Sequence, residues 1–89
     1  MQPPWVYAGS AVFDRNLNAV ILFGGGSGGV DQNTTWAWLG SNWKQLITTQ
    51  SPLSREGAGI AYDAALSHAI LFGGQDGSLL LNDTWELTP

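Results

Sequence analysis

The chain has no cysteine, so neither a disulfide nor a thiolate metal site holds its 89 residues together. Charge is sparse. Asp, Glu, Lys and Arg make up 11% of residues, against roughly 25% in an ordinary globular domain. Three basic residues, Arg15, Lys44 and Arg55, lie scattered in a chain of net charge −4, which excludes a basic nucleic-acid groove. Apolar runs are about five residues long, far below the roughly 20 that a membrane helix needs. The opening Met1-Gln-Pro-Pro-Trp5 has neither a charged nor an apolar signal region, so no secretion signal is read there and the compartment stays open. Histidine occurs once, at His68, with no spacing that pairs it to a nucleophile or an orienting carboxylate.

What the chain does have is glycine, aromatics and a repeat. Ile21-Leu-Phe-Gly-Gly25 returns as Ile70-Leu-Phe-Gly-Gly74, 49 residues later. The same offset aligns Pro3 with Pro52, Asp14 with Asp63, Asn33 with Asn82 and Thr35-Trp36 with Thr84-Trp85. Twelve of the 38 positions paired at this offset are identical, without a gap. A period in this range marks supersecondary units that stack because none buries its faces alone. The chain therefore reads as one unit over residues 1–89, with a first repeat over about 3–51 and an incomplete second over about 52–89.

Each repeat reads as short strands. Ser10–Asp14 and the apolar run Ala19–Phe23 make a hairpin across a turn rich in residues that bond their own backbone. Thr35–Leu39 and Trp43–Thr48 are further strands, and the tracts Gly24–Gly29 and Gly73–Ser78 read as turns. The first tract spells a formal G-x-G-x-x-G, but no helix follows, so the dinucleotide reading fails. The second repeat offers strands at Gly59–Tyr62, Ala69–Phe72 and Thr84–Leu87 and ends before a fourth. Four-stranded antiparallel sheets with two apolar faces each need a neighbour on both sides, and radial repetition supplies it.

The pattern resembles the kelch repeats, in the bacterial, galactose-oxidase-like form. It is carried by Val12-Phe-Asp14, Ile21-Leu-Phe-Gly-Gly25, Asn33-Thr-Thr-Trp36 and Trp43-Lys-Gln-Leu46, then by Ala61-Tyr-Asp63, Ile70-Leu-Phe-Gly-Gly74 and Asn82-Asp-Thr-Trp85. The resemblance implies an all-β fold of kelch-type β-propeller blades, about two per chain, with the second blade lacking its last strand. Its structural motif maps onto Asp14, Gly24, Gly25, Trp36, Trp43, Asp63, Gly73, Gly74, Asp83 and Trp85. The first repeat departs from it, with Thr34 where the second has Asp83 and Val6 where the second has Arg55. Two blades do not make a ring. The expected function is thus a non-enzymatic scaffold that self-assembles into a ring, as a trimer of six blades or a tetramer of eight, and binds protein or ligand through its loops. The alternatives are a fragment of a larger propeller, or a carbohydrate-binding module.

No catalytic residue, cofactor or metal is expected. Asp14 and Asp63 occupy equivalent positions and read as turn carboxylates rather than an acid–base pair, and Asp31 and Asp76 lack the alternation of a calcium loop. The copper chemistry of galactose oxidase uses a cysteine-linked tyrosine and histidines, which this chain cannot supply. Trp5 and Trp38, whose counterparts are Ser54 and Leu87, are the candidates for an interface or a sugar-stacking platform; Arg55 is also a candidate ligand or interface residue, though it reads first as bonding backbone or a carboxylate between sheets. A further protein or a glycan is the expected outside partner.

Overall fold

A computed structural model describes residues 6–48 and 50–88, and every described element is β. In the first repeat these are β1 (Ser10–Asp14), β2 (Ala19–Phe23), β3 (Gly26–Ser27), β4 (Val30–Asp31), β5 (Thr35–Trp38) and β6 (Trp43–Leu46). In the second they are β7 (Gly59–Asp63), β8 (His68–Phe72), β9 (Gln75–Asp76), β10 (Leu79–Leu80) and β11 (Thr84–Leu87). The main hairpins form where β-branched and aromatic residues flank short polar turns. Asp14 Oδ1 accepts the Leu17 N–H at 3.0 Å, and Asp63 Oδ1 accepts those of Ala65 and Leu66 at 2.9 and 3.2 Å. The equivalent turn residues Asn18 and Ser67 take left-handed φ of 54° and 59°.

The strands form four separate antiparallel sheets. One has four strands in the order β1-β2-β5-β6, one has three in the order β11-β8-β7, and β3-β4 and β9-β10 are two-stranded ribbons. This corrects the expectation drawn from the kelch resemblance. The sheets are flat and unclosed, not the curved blades of a closed propeller, and the self-assembling ring inferred from such blades falls with them. The physical reason lies in the glycine tracts. They do not simply turn the chain; each folds back into its own ribbon and bonds to the segment leading into its repeat. Tyr7 exchanges N–H···O bonds of 3.0 and 2.8 Å with Gly26, and Glu56 does so with Gln75 at 2.8 and 3.0 Å. The tracts are thereby held apart from the larger sheets, which among the described residues end on β1 and β6 and on β7 and β11.

The core sits between the two larger sheets. Register decides which side chains reach it, because residues two apart share a face. Val12 and Phe23 of the first sheet meet Ile60, Ala69, Leu71, Trp85 and Leu87 of the second, with Ala58 alongside. Ser10 Oγ donates to the Ala58 carbonyl at 2.8 Å across the junction, and the Arg15 guanidinium lies 5.3 Å from the Tyr62 ring centre. The packing is asymmetric with respect to the repeat. The face of the first sheet that carries Phe23 covers the opposite face of the second. Phe23 is 1% exposed, while its equivalent Phe72 is 55% exposed on the uncovered side.

Candidate binding face and the polar clasp

The outward face of the first sheet is built by cross-strand register. Phe13 pairs with Val20, Val20 with Trp38 and Trp38 with Trp43, so one apolar row crosses all four strands. Side chains directly opposite on neighbouring strands stand about 5 Å apart, close enough for aromatic rings to touch. Trp38 and Trp43 do so, with ring centres 5.4 Å apart and planes inclined at 55°. With Val20 they frame a shallow open recess of about 310 Å³. Gln45, two residues beyond Trp43 on the same face, brings a half-buried amide into the adjoining row with Trp36.

The indole N–H groups separate structural tryptophans from available ones. Trp36 Nε1 donates to Thr34 Oγ1 at 3.2 Å, and Trp85 Nε1 donates to Asp83 Oδ2 at 2.8 Å. Trp36 is buried and Trp85 half-buried in the core contact. Neither Trp38 nor Trp43 has a hydrogen-bond partner for its indole N–H among the described residues, and Trp38 is 36% exposed. Trp43 belongs on sequence to the repeat's structural motif, and the structure also sets it beside Trp38 on the outward face. The signal that would have found it is the Gly40-Ser-Asn42 turn, which sets Trp43 opposite Trp38. Trp5, the other candidate platform residue, lies outside the described residues.

Arg55 sits elsewhere, at the junction of the repeats, and is 1% exposed. Its guanidinium makes a fork to Asp83, with Nη1–Oδ1 at 2.6 Å and Nη2–Oδ2 at 2.8 Å. Nη1 also donates to the Gly73 carbonyl at 3.0 Å, and Nε to that of Leu53 at 3.0 Å. The fork geometry matches the carboxylate and cannot be reproduced by lysine. Hydrogen bonds from Arg55, then from the Trp85 indole, hold the Asp83 carboxyl well below the usual carboxylate range. Arg55 thus ties the second glycine pair to the strand carrying Trp85, which is a structural clasp and not an exposed interface residue.

Asp14 is buried beside its turn, and Gly24, Gly25, Gly73 and Gly74 all take positive φ, between 69° and 100°. Asp31 Oδ2 accepts the Gly77 N–H at 2.8 Å and so links the two ribbons. Sharing a hydrogen bond with Asp31 pushes the neighbouring Glu56 carboxyl up. His68 Nε2 lies 3.8 Å from Glu86 Oε2 on a partly exposed face. A narrow crevice of about 80 Å³ opens near Thr35, Pro52, Trp85 and Glu86. It contains a single carboxylate and no base paired to a nucleophile. Among the described residues no three His, Cys, Asp or Glu side chains gather to hold a metal. A scan against protein-family models finds no match, and a search of curated proteins finds none either.

Proposed function

We propose that the chain is a non-catalytic binding module that takes carbohydrate on the outward face of its first sheet. The observation that carries this reading is the pair Trp38 and Trp43, exposed in whole or part, inclined to each other and free at both indole nitrogens. The C–H faces of a pyranose ring are apolar and its hydroxyls are polar. Such a ring suits a platform of aromatic faces with a few hydrogen-bonding groups at the edge. The two indole N–H groups and the Gln45 amide supply those groups. The low charge of the chain fits a neutral ligand better than an anionic or cationic one.

The test is tryptophan fluorescence and isothermal titration with neutral oligosaccharides, preceded by a glycan array to choose them. Binding to a defined set of glycans is expected, with Trp38→Ala weakening it at least roughly thirtyfold, the loss of about 2 kcal/mol typical of an aromatic anchor. Trp38→Phe keeps part of the stacking and should fall between. A flat array, or unchanged affinity in Trp38→Ala, overturns the reading.

A further inference from the structure

Two carboxyl groups meet where the repeats join, and the backbone brings them there. Arg55 N–H donates to Gln32 O at 3.1 Å and Gly25 N–H donates to Arg55 O at 2.9 Å, so the segment entering the second repeat runs along the first ribbon. The next residue, Glu56, exchanges N–H···O bonds of 2.8 and 3.0 Å with Gln75 and so runs along the second ribbon as well. Gly57 N–H fixes the segment further by donating to Ala8 O at 2.9 Å. Glu56 is thereby held between the start of β9 and the edge of the first ribbon, where Asp31 of β4 precedes Gln32. Asp31 reaches the second ribbon directly, since its Oδ2 accepts the N–H of Gly77, the residue that follows β9 with φ of 60°. Both acidic residues are half-buried.

Two carboxylates sharing one site repel unless a proton stays between them. Among the described residues no cation pairs with either. The Arg55 guanidinium is turned to Asp83, Arg15 lies over the Tyr62 ring, His68 faces Glu86, and Lys44 belongs to β6. Of the other elements packed here, the segment entering the first repeat brings Tyr7, whose ring lies against Gly26, and β9 brings Asp76. Neither β3 nor β10 carries a titratable side chain. Asp76 does not complete a metal site, because among the described residues no three such carboxylates gather. The hydrogen bond to Asp31, then loss of solvent, then the Asp31 charge all push the Glu56 carboxyl up. The repeat pattern does not call for this pair. At the 49-residue offset Glu56 answers to Tyr7 and Asp31 to Leu80, so the contact is particular to this junction.

We infer that Asp31 and Glu56 share one proton, and that this proton pins the second ribbon to the first, making the junction of the repeats a pH-sensitive latch. With the proton in place, the Glu56 carboxyl donates to Asp31 while Asp31 accepts the Gly77 N–H. When the proton leaves, two negative charges face each other, and parting of the ribbons relieves them. The sign follows from the direction of the shift. A carboxyl that folding pushes up contributes stability below the ordinary carboxylate range, and that contribution is lost as pH rises through the raised value. The Arg55–Asp83 fork works the other way, because the Asp83 carboxyl is pushed down and its contribution is lost on acidification. The junction is therefore firmest between the two losses and loosens toward neutral pH.

The test is a titration of the isotope-labelled full chain from about pH 3 to about pH 8, following side-chain carboxyl and backbone amide shifts. Asp31 and Glu56 are expected to titrate in two shared steps, the upper one above the ordinary glutamate range, with the Gly77 amide moving in that upper step. Glu56→Gln keeps a donor for Asp31 and removes the second charge. Asp31 should then titrate in a single step, and the upper inflection at Gly77 should be lost. Asp31→Asn should return Glu56 to the ordinary range. The first titration uses the unsubstituted chain, so a variant that fails to fold does not remove the test. The inference is overturned if Glu56 titrates in one step as an ordinary exposed glutamate, if the Gly77 amide stays still through the upper step, or if that inflection survives Glu56→Gln.

Discussion

Arg55 carries more of the polar organisation than any other side chain. Its four hydrogen bonds and buried charge make it sensitive to any replacement. Asp83 keeps a side chain 38% exposed, so solvent recovers part of what the pair loses when broken. Arg55→Leu is accordingly expected to cost about 2–3 kcal/mol, at the low end for a broken buried pair, with a fall in Tm of roughly 10 °C or more in a thermal melt. Arg55→Lys should recover little of it, because one ammonium cannot span both carboxylate oxygens and the Gly73 carbonyl. The same pair sets an acid limit. The Asp83 carboxyl is depressed in the folded state, so its contribution is fully present above the ordinary carboxylate range and drains away as pH falls from about 5 toward the folded value. Melts between pH 7 and pH 2 should show this slope. Asp83→Asn should lower stability at pH 7 and flatten the slope, and an unchanged slope would place the acid sensitivity elsewhere.

The ribbons show how far a glycine can be read from sequence. The tracts were legible as places of positive φ, but not as strands, because which glycines are approached by another backbone depends on partners far along the chain. Gly24 and Gly28 separate these effects, with φ of 69° and 61°. An added Cβ at Gly24 meets the Arg55 carbonyl, whereas at Gly28 it meets nothing within 4 Å. Gly28→Ala should cost only the left-handed penalty, about 1 kcal/mol. Gly24→Ala should cost that and the displacement of the Arg55 segment, about 3 kcal/mol together. Urea unfolding of the two variants checks the difference, and equal midpoints would mean that the Arg55 segment moves aside freely. The strands themselves were plain in the alternation and the apolar runs. The placement of Trp43 beside Trp38 was not, since pairing β5 with β6 in that register depends on the turn between them.

Two sheets share one core, and neither has a second layer of its own. Leu71 is fully buried at the junction, in the cluster with Phe23, Ala69 and Leu87. Leu71→Ala should cost about 2–5 kcal/mol. For a domain of this size that is a large share of a total of roughly 5–10 kcal/mol. Calorimetry should show the whole transition moving down as one, because each sheet loses the surface against which it is ordered. A surviving high-temperature transition would mean that one sheet is stable alone.

By itself the sequence determined an all-β chain built on a 49-residue repeat, the position of most strands, and the turn carboxylates and glycine pairs that punctuate them. These follow from local alternation, propensity and backbone freedom, which act within a few residues. Tertiary structure alone decided what the repeats do with one another: separate, unclosed sheets instead of ring-forming blades, Asp83 and the Gly73 carbonyl as the partners of Arg55, and Trp38 and Trp43 together on an open face. Equivalent residues have the same local preferences but not the same neighbours. Burial, hydrogen-bond partners and free surface are set by neighbours tens of residues away in the chain, and local pattern does not encode them.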